Sequence, residues 1–343
     1  MTKTILTVIG SLNYDLVTFT SRVPQGGETI KADSFETHTG GKGFNEALAL
    51  GRLLPSTVKN NDTYTVRMIG KVGDDSFGTE LLDSLKKEAV DISEVTVENG
   101  VRTGVATILV ESDGENRILI AGGANDLLTP SNSDFDKYFP AHDSQKQQFV
   151  MLQNEFPYFV QTINWIKTNR PNIQIAYNPS PMKKVPGDYL KNVDLLIVNE
   201  IESQQILESL DIPNDVPNSF TTSNDKVEYY ENVARKLLPK INSSGVNLVI
   251  ITLGSMGVLF ITTRDGTPKV EFLKSRTVAK ENVIDTTGAG DTFFGSVVSQ
   301  LSLNREAYGD AIKFATVASA LAIQKKGAGD SIPSYENVTQ HLQ

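Results

Sequence analysis

The sequence contains no cysteine, so disulfide bonds, cysteine-ligated zinc sites and a cysteine nucleophile are excluded. Histidine is scarce as well. The three histidines stand at positions 38, 142 and 341 without the spacing of a metal site, and none is placed to act as the base of a serine hydrolase. The absence of cysteine fits a protein of a reducing compartment.

Basic residues are outnumbered by acidic ones, 32 Lys and Arg against 41 Asp and Glu, which gives a net charge of −9. No cluster of Lys and Arg offsets this charge, so we expect no nucleic-acid partner. An acidic protein can still bind phosphate groups if it uses backbone amides and a metal ion.

Long apolar runs are also missing. None approaches the roughly 18 residues that a membrane span needs, so no membrane partner is expected. The first segment, MTKTILTVIGSLNYD, has a short β-branched run interrupted by Thr, which favours a strand over a secretory signal. We therefore expect a cytoplasmic protein, with the nucleus as a second compartment if the source is eukaryotic.

The 343 residues do contain an alternation of apolar runs and amphipathic helical stretches. Strands are predicted at 5–10, 64–70, 148–154, 173–180, 193–200 and 246–254, and helices at 45–54 and 77–90. Near-continuous Val, Ile and Leu runs are typical of buried parallel strands, so the pattern predicts one α/β domain over 1–343 with a mainly parallel central sheet. Polar residues follow these strands, at the edge where ligands bind such sheets.

Two segments, 28–38 and 101–121, do not fit this alternation. They read as antiparallel strands, the second with a turn at SDGEN. We predict a small β-sheet, a lid, from about 14–38 and 95–123, whose exposed face covers either a ligand or another subunit. The polar stretch at 210–228, rich in Pro and Asn, predicts a surface insertion without catalytic work.

The stretch DTTGAGDTFFG, residues 285–295, runs from a strand end into a helix. The amides of Gly288, Ala289 and Gly290 are predicted to point at an anion, which the helix dipole favours. Asp291 then lies beside that anion. The alternative is that Asp291 merely caps the helix and that the glycines serve a tight turn.

Two further polar segments come early in the chain. HTGGKGFNEA places Gly41, Lys42 and Gly43 at the start of a helix, but Glu36 and Gly43 break the Walker A pattern, so a plain glycine-rich helix start is the alternative. In GSLNYD, Asn13 and Asp15 share one face of an extended segment. An amide and a carboxylate together can hydrogen-bond sugar hydroxyls, although an Asx turn also explains the pair.

Taken together and in order, these motifs resemble the ribokinase family of sugar kinases, the PfkB type. GGKGFNEALALGR resembles its N-terminal signature and DTTGAGDTFFG its C-terminal one, and the resemblance extends from VIGSLNYD to KKGAGDSIP. The combination N-x-D with GGKG-x-N is similar to the members that act on ribose rather than to fructokinases or nucleoside kinases. The resemblance implies a three-layer α/β/α fold with a mainly parallel sheet and a small β-sheet lid.

The resemblance also implies roles for individual residues. The catalytic base is Asp291, and the anion hole consists of Gly288, Ala289 and Gly290. The sugar is bound by Asn13, Tyr14, Asp15, Gly41, Lys42, Gly43, Phe44, Asn45, Glu155 and Asp291. ATP is bound by Asn199, Thr252, Leu253, Gly254, Ser255, Met256, Gly257, Gly290 and Thr316. A potassium ion is held, in part through backbone carbonyls, by Asp285, Thr287, Ala322, Lys325, Gly327 and Ser331.

The implied reaction is phosphorylation of D-ribose at the 5-hydroxyl by ATP with Mg²⁺, activated by K⁺, in a homodimer joined through the lid sheets. Phe44 and Glu46 depart from the family pattern, since smaller or amide residues often stand at these positions. Gly329 and Asp330 depart from it as well, in the C-terminal loop. Alternatives are a kinase of another sugar or nucleoside, such as fructose or adenosine, and a non-catalytic sugar-binding protein on the same fold. A Rossmann oxidoreductase lacks its dinucleotide fingerprint here.

Overall fold

The structure, a computed structural model, describes residues 3–59, 63–112, 115–143, 145–184, 187–217, 219–264 and 266–342. Within these residues the strands form a sheet of nine and a sheet of four. The large sheet contains β1 (Thr4–Ile9), β4 (Tyr64–Gly73), β5 (Asp91–Glu98), β8 (Gln147–Leu152), β9 (Gln174–Tyr177), β10 (Leu195–Asn199), β11 (Leu248–Thr252), β12 (Gly257–Arg264) and β13 (Thr267–Lys274). The small sheet contains β2 (Asn13–Thr20), β3 (Ser34–Gly40), β6 (Gly104–Glu111) and β7 (Asn116–Ala121).

The large sheet has the order β13-β12-β11-β10-β9-β8-β1-β4-β5. In this order, neighbouring strands from β11 through β10, β9, β8, β1 and β4 to β5 pair in parallel. β12 and β13 are added antiparallel at the other edge. The predicted α/β fold with a mainly parallel central sheet is confirmed. Each strand predicted from a Val, Ile and Leu run overlaps a strand of this sheet.

The core lies on both faces of the large sheet because successive side chains of a strand point to opposite sides. In β8, Phe149 and Met151 join one buried cluster and Val150 and Leu152 join the other. This two-sided burial is the reason for the continuous apolar runs in the sequence.

Helices cover both of these faces. One face packs against α1 (Lys42–Arg52), α3 (Ser76–Lys87), α8 (Ala289–Leu303), α9 (Tyr308–Ala322) and α10 (Tyr335–Gln340). The other packs against α4 (Asn132–Tyr138), α5 (Phe159–Asn169), α6 (Glu200–Ser209) and α7 (Ser223–Leu237), while α2 (Ser56–Lys59) is a single exposed turn. The resulting three layers place the starts of α1 and α8 side by side.

The small sheet has the order β3-β2-β6-β7, with β2 pairing in parallel with β6 and antiparallel with β3. The separate sheet is confirmed, but its strands differ from the predicted segments. Residues 28–33 form no strand, and residues 95–98 belong to β5 at the edge of the large sheet. An edge strand alternates exposed and half-buried residues, so β5 has the pattern of a surface sheet in the sequence. Positions 113 and 114 of the predicted turn lie outside the described residues.

The polar stretch at 210–228 is shorter as a loop than predicted. Residues 223–228 form the first turns of α7, whose N-cap Thr222 accepts a hydrogen bond from the amide of Asp225 (3.1 Å). Position 218 lies outside the described residues. Among the ranges that the structure describes, none of the helices combines the length and the apolar character that crossing a bilayer requires.

Candidate active site

A cavity of about 320 Å³ opens at the carboxyl ends of the parallel strands, where ligands bind in open α/β sheets. Its floor comes from the starts of α1 and α8 and from the residues that follow β8 and β10. Its roof is the small sheet, through Ala106, Ile108, Ile118 and Ile120. The polar ends of several elements therefore converge under one apolar cover.

The start of α8 has the geometry of an anion site. Gly288 is its N-cap and adopts φ 73°, and a Cβ there would lie 2.8 Å from Ala328, so glycine is required. Gly290 faces open space, with no atom of the described part of the chain within 4 Å of a Cβ built there. The first amides of a helix have no partner within the helix and carry its positive dipole end. The Ala289 amide is partly used, because it donates to the Thr286 carbonyl (3.3 Å).

Asp291 lies in the first turn of α8 and is 9% exposed. Its Oδ2 accepts a hydrogen bond from Asn45 Nδ2 (2.8 Å), and its Oδ1 lies 3.6 Å from Lys42 Nζ. Among the described residues no side chain caps this helix, so Asp291 does not serve as an N-cap. Its carboxylate instead faces the cavity between an amide donor and an ammonium group.

Strand β2 presents Asn13 and Asp15 to the same cavity, as their spacing of two residues predicts. Asn13 Oδ1 accepts a hydrogen bond from Asn125 Nδ2 (2.8 Å), and Asn125 Oδ1 accepts one from the Leu12 amide (2.9 Å). Asn125 is 1% exposed and fixes the orientation of the Asn13 amide. Sequence reasoning missed Asn125 because a lone Asn in a loop carries no distinguishing pattern.

Glu155 joins the site from the loop after β8. Its Oε2 accepts hydrogen bonds from the Lys42 amide (3.0 Å) and from Ser11 Oγ. Gly41 has φ 92°, and a Cβ there would lie 2.7 Å from the Asn13 amide, so the close approach of this turn to the start of β2 requires glycine. The glycine-rich start of α1 thus places Lys42 between Glu155 and Asp291.

Burial and charge shift the titration of this cluster. Burial, followed by repulsion from Glu155, raises the pKa of Asp15 to about 7. Burial opposes the charge of Lys42, but attraction to Asp291 and Glu155 outweighs it and raises the pKa of this ammonium group. Burial, followed by repulsion from Asp291, raises the pKa of Glu46 well above its usual value.

A second cavity of about 470 Å³ adjoins the first at Thr252, Gly290 and Phe293. Its lining is mostly apolar and includes Val258, Val278 and Ile323. Of the residues predicted to bind ATP, this cavity brings together Thr252, Gly254, Ser255, Gly257, Gly290 and Thr316. Asn199 lines the first cavity instead.

Several predicted site residues lie away from both cavities. Tyr14 points to the opposite face of β2, where its ring stacks on Phe77 (centroids 4.1 Å apart) and its hydroxyl bonds to Glu80. Phe44 is fully buried in the core. Gly43 packs against the backbone of Gly10 and Ser11. In the turn at 252–257, Leu253 is buried in the core and Met256 packs against that core.

The residues predicted to hold a potassium ion lie on two hydrogen-bonded segments, 284–287 and 322–331. Asp285 joins them, because its Oδ1 accepts from the Thr287 amide (2.9 Å) and its Oδ2 from the Gly327 amide (2.9 Å). The Ala322 and Gly327 carbonyls accept from the amides of Lys325 (3.0 Å) and Ser331 (3.2 Å). The oxygens that these residues could offer would suit a hard cation, and Lys325 could contribute only its carbonyl.

Glu202 is a further carboxylate in the first cavity that sequence reasoning missed. Its Oε2 accepts from the Asn199 amide (2.9 Å), while Asn199 Oδ1 accepts from the Glu202 amide (2.8 Å). This reciprocal capping box starts α6, and Asn followed three residues later by Glu was a readable signal for it. Within the described residues, no group of three or more His, Asp or Glu side chains could hold a metal ion.

Comparison with known proteins places this geometry in a family. The profile of the pfkB family carbohydrate kinases matches residues 3–335. The chain is 36% identical over 332 residues to a ribokinase of Schizosaccharomyces pombe, covering 96% of this chain and 95% of that one. It is 36% identical over 345 residues to a ribokinase of Lactococcus lactis, covering 100% and 97%.

A solved structure of the Arabidopsis thaliana ribokinase complexed with ribose and ATP superimposes with a TM-score of 0.80 at 27% identity, covering 100% of this chain and 99% of that one. The chain belongs to the pfkB family of carbohydrate kinases. It is therefore a phosphotransferase with the ribokinase-like fold, as the signatures at 40–52 and 285–295 predict.

Proposed function

We propose that this carbohydrate kinase transfers the γ-phosphoryl group of Mg-ATP to the 5-hydroxyl of D-ribose. The products are D-ribose 5-phosphate and ADP. The observation that carries the proposal is the position of Asp291, where a cavity lined by polar groups meets an apolar one at the start of a helix. The ribokinases of two organisms at 36% identity support ribose as the acceptor.

In the sugar cavity, Asn13, Asp15, Lys42, Asn45 and Glu155 provide donors and acceptors for the ribose hydroxyls. A site built to hydrogen-bond hydroxyls rejects analogues that lack them, because its own buried groups are then left unpaired. This grip holds the primary hydroxyl beside the Asp291 carboxylate.

The reaction then needs one proton transfer and one displacement. Asp291 accepts the proton of the 5-hydroxyl as the oxygen bonds to the γ-phosphorus, and the bond from phosphorus to the bridging oxygen breaks with its electron pair leaving on ADP. In a loose transition state the base mainly positions the nucleophile. Asn45 and Lys42 hold Asp291 in that position.

The anion hole stabilises the transferring group. The Gly288 and Gly290 amides and the dipole of α8 point to the place where negative charge accumulates. The contribution of Ala289 is smaller, since its amide already donates to the Thr286 carbonyl. Lys42 adds a positive charge on the sugar side.

Mg²⁺ enters with ATP as part of the substrate and neutralises phosphate charge. Protein carboxylates usually supply one or two of its ligands and the phosphates supply others. Glu202 fits this role, because it lines the cavity next to Asn199 and is held by the capping box of α6. For K⁺, the oxygens around Asp285 fit a site that orders the turn leading to Gly288.

The small sheet acts as a lid that excludes water from the phosphoryl group. Phe35 and Leu119 of this sheet are each more than half exposed, and Leu119 points away from the cavity because it alternates with Ile118 and Ile120 of the cavity roof. A second copy of the sheet would cover part of this apolar surface, so the proposed assembly is a homodimer joined through the small sheets. Light scattering should give twice the mass of one chain, and the mass of a single chain would contradict the dimer.

The proposed function is tested by the product. Purified protein is incubated with Mg-ATP and D-ribose in K⁺ buffer, and the phosphorylated sugar is analysed by ³¹P and ¹H NMR. The proposal predicts a phosphomonoester coupled to the two C5 protons. A phosphate on C1, or ATP consumption without a sugar phosphate, would overturn it.

A further inference from the structure

A buried pair of polar side chains lies beneath the sugar cavity, between α1 and the residue that follows β8. Glu46 and Gln153 are both fully buried, and Gln153 Nε2 donates a hydrogen bond to Glu46 Oε2. The other two oxygens of the pair, Glu46 Oε1 and Gln153 Oε1, are buried and have no hydrogen-bond partner among the described residues.

A single proton on Glu46 Oε1 would give both of these oxygens a hydrogen-bond partner. The neutral carboxylic acid donates to the amide carbonyl of Gln153 while its other oxygen accepts from the amide N–H. The two side chains then form a cyclic pair with two hydrogen bonds, and every polar atom in it is satisfied. If Glu46 were ionised, two acceptor oxygens would remain buried without a donor, which is costly.

The charges around the pair also favour the neutral acid. Asp291 of α8 and Glu155 after β8 face Glu46, and the positive charge of Lys42 lies one turn earlier on α1. Lys42 is already matched to Asp291 and to Glu155. A third carboxylate among these buried groups would have to share this one lysine with the other two.

We propose that Glu46 is a neutral carboxylic acid paired with Gln153 and that this pair is a positioning device for the sugar site. The pair ties α1, which carries Lys42 and Asn45, to the segment that carries Glu155 two residues after Gln153. Gln153 packs closely against the backbone of Gly10, since its Oε1 lies 2.0 Å from the place where a Cβ of Gly10 would be. The effect on the sugar rests on the proposed function, whereas the protonation state does not.

The protonation state is tested by urea unfolding of the full chain and of Glu46→Gln between pH 5.5 and 8.5. Glu46 keeps its proton in the folded protein and loses it in the unfolded chain, so wild-type stability falls as pH rises through this range. The ratio of the unfolding constant of the wild type to that of Glu46→Gln should rise about tenfold per pH unit. A ratio independent of pH would show that Glu46 is ionised when folded and would overturn the proposal.

A matched control is Glu228→Gln, which changes an exposed glutamate of α7. Its unfolding constant should keep a constant ratio to that of the wild type at every pH. If this control showed the same slope as Glu46→Gln, the slope would not report on the buried pair and the assignment to Glu46 would be withdrawn.

The positioning role is tested by exchanging the partners. Gln153→Glu alone leaves two carboxyl groups to share one proton beside Asp291, so the KM for ribose should rise. The double variant Glu46→Gln with Gln153→Glu restores one acid and one amide, and the KM should return towards that of the wild type. Glu46→Gln alone, which replaces the acid by a second amide, is the fourth protein of the comparison. Equal KM values at every pH in all four proteins would contradict the role.

Discussion

The two cavities that meet at the start of α8 are lined by different kinds of side chain. The sugar-side cavity of about 320 Å³ contains, among the described residues, one lysine and several carboxyl groups, namely Asp15, Glu46, Glu155, Glu202 and Asp291. The nucleotide-side cavity of about 470 Å³ is lined by apolar residues, glycines and hydroxyls, with Arg276 as the charged residue of its described lining. The two proposed substrates would therefore meet different surroundings, one rich in charged groups and one mainly apolar.

This difference indicates where selectivity resides. Buried polar groups impose a large penalty on a ligand that fails to pair with them, whereas an apolar pocket distinguishes related ligands weakly. We therefore expect the sugar to be selected strictly and the nucleoside part of the second substrate loosely. Single substitutions in each cavity test this difference in selectivity.

The largest effect is expected from Asp291→Asn, because it removes the proposed base beside the junction of the cavities. The variant should lose about 10²–10⁴-fold in kcat while it still binds ribose. Steady-state kinetics and calorimetric titration with ribose measure the two quantities. Near-native kcat would contradict the assignment of Asp291 as the base.

Asp310→Asn is the matched control, since Asp310 stands in the first turn of α9 as Asp291 does in α8, but is exposed. Both substitutions remove a negative charge from the positive end of a helix. A role in helix stability alone would therefore lower the stability of both variants and the kcat of neither.

The second effect concerns Asp15, whose pKa of about 7 results from burial and then from repulsion by Glu155. If the ionised carboxylate accepts the sugar hydroxyls, kcat/KM for ribose should rise about tenfold between pH 6 and 8. Asp15→Asn should abolish this rise and lose about 10–100-fold, the loss of a hydrogen bond to a charged group. Asp33→Asn, an exposed aspartate before β3, should keep the wild-type profile.

The same substitution, Asp15→Asn, should stabilise the folded protein although it lowers kcat/KM. The pKa of Asp15 is raised in the folded protein, so the unfolded chain releases its proton first and wild-type stability falls as pH rises from about 4 to about 7. At pH 8 without ribose, Asp15→Asn should be more stable by up to about 4 kcal/mol. A destabilised Asp15→Asn in urea unfolding would contradict the assigned cause of the shift.

The third effect is that of K⁺ on the junction itself. Exchange of K⁺ for Na⁺ should lower kcat on the order of tenfold, the cost of misplacing about one hydrogen bond in the anion hole. Asp285→Asn should be slow in both salts, because its carboxylate joins Thr287 to Gly327. Equal rates in K⁺ and Na⁺ for the wild type would remove the cation from the account.

The smallest effect is expected at the nucleotide end. Thr316 lines that cavity, but its hydroxyl already donates to the Lys313 carbonyl (2.8 Å). Thr316→Val should therefore raise the KM for ATP by less than about threefold and leave the KM for ribose unchanged. A tenfold rise in either KM would show that the two cavities differ less in selectivity than the side chains that line them suggest.

The sequence allowed the main sheet and the two glycine-rich helix starts to be predicted, because period and turn chemistry are local properties. β5 was misplaced because an exposed edge strand has the same alternation as a separate small sheet. The orientation of Tyr14 was readable, since the strand period that puts Asn13 and Asp15 on one face puts Tyr14 on the other, facing Phe77, but the resemblance assigned the whole segment to the sugar. Contacts between distant segments, such as Asn125 with Asn13, have no local signal.

The most direct measurement is ADP release from purified protein with Mg-ATP and a panel of acceptors in K⁺ buffer. The panel contains D-ribose, 2-deoxyribose, fructose and adenosine. We expect the highest kcat/KM for ribose and a loss for 2-deoxyribose, which leaves polar groups of the sugar cavity unpaired. Faster turnover of fructose or adenosine than of ribose would contradict the central claim that the carboxylate-rich cavity selects this pentose.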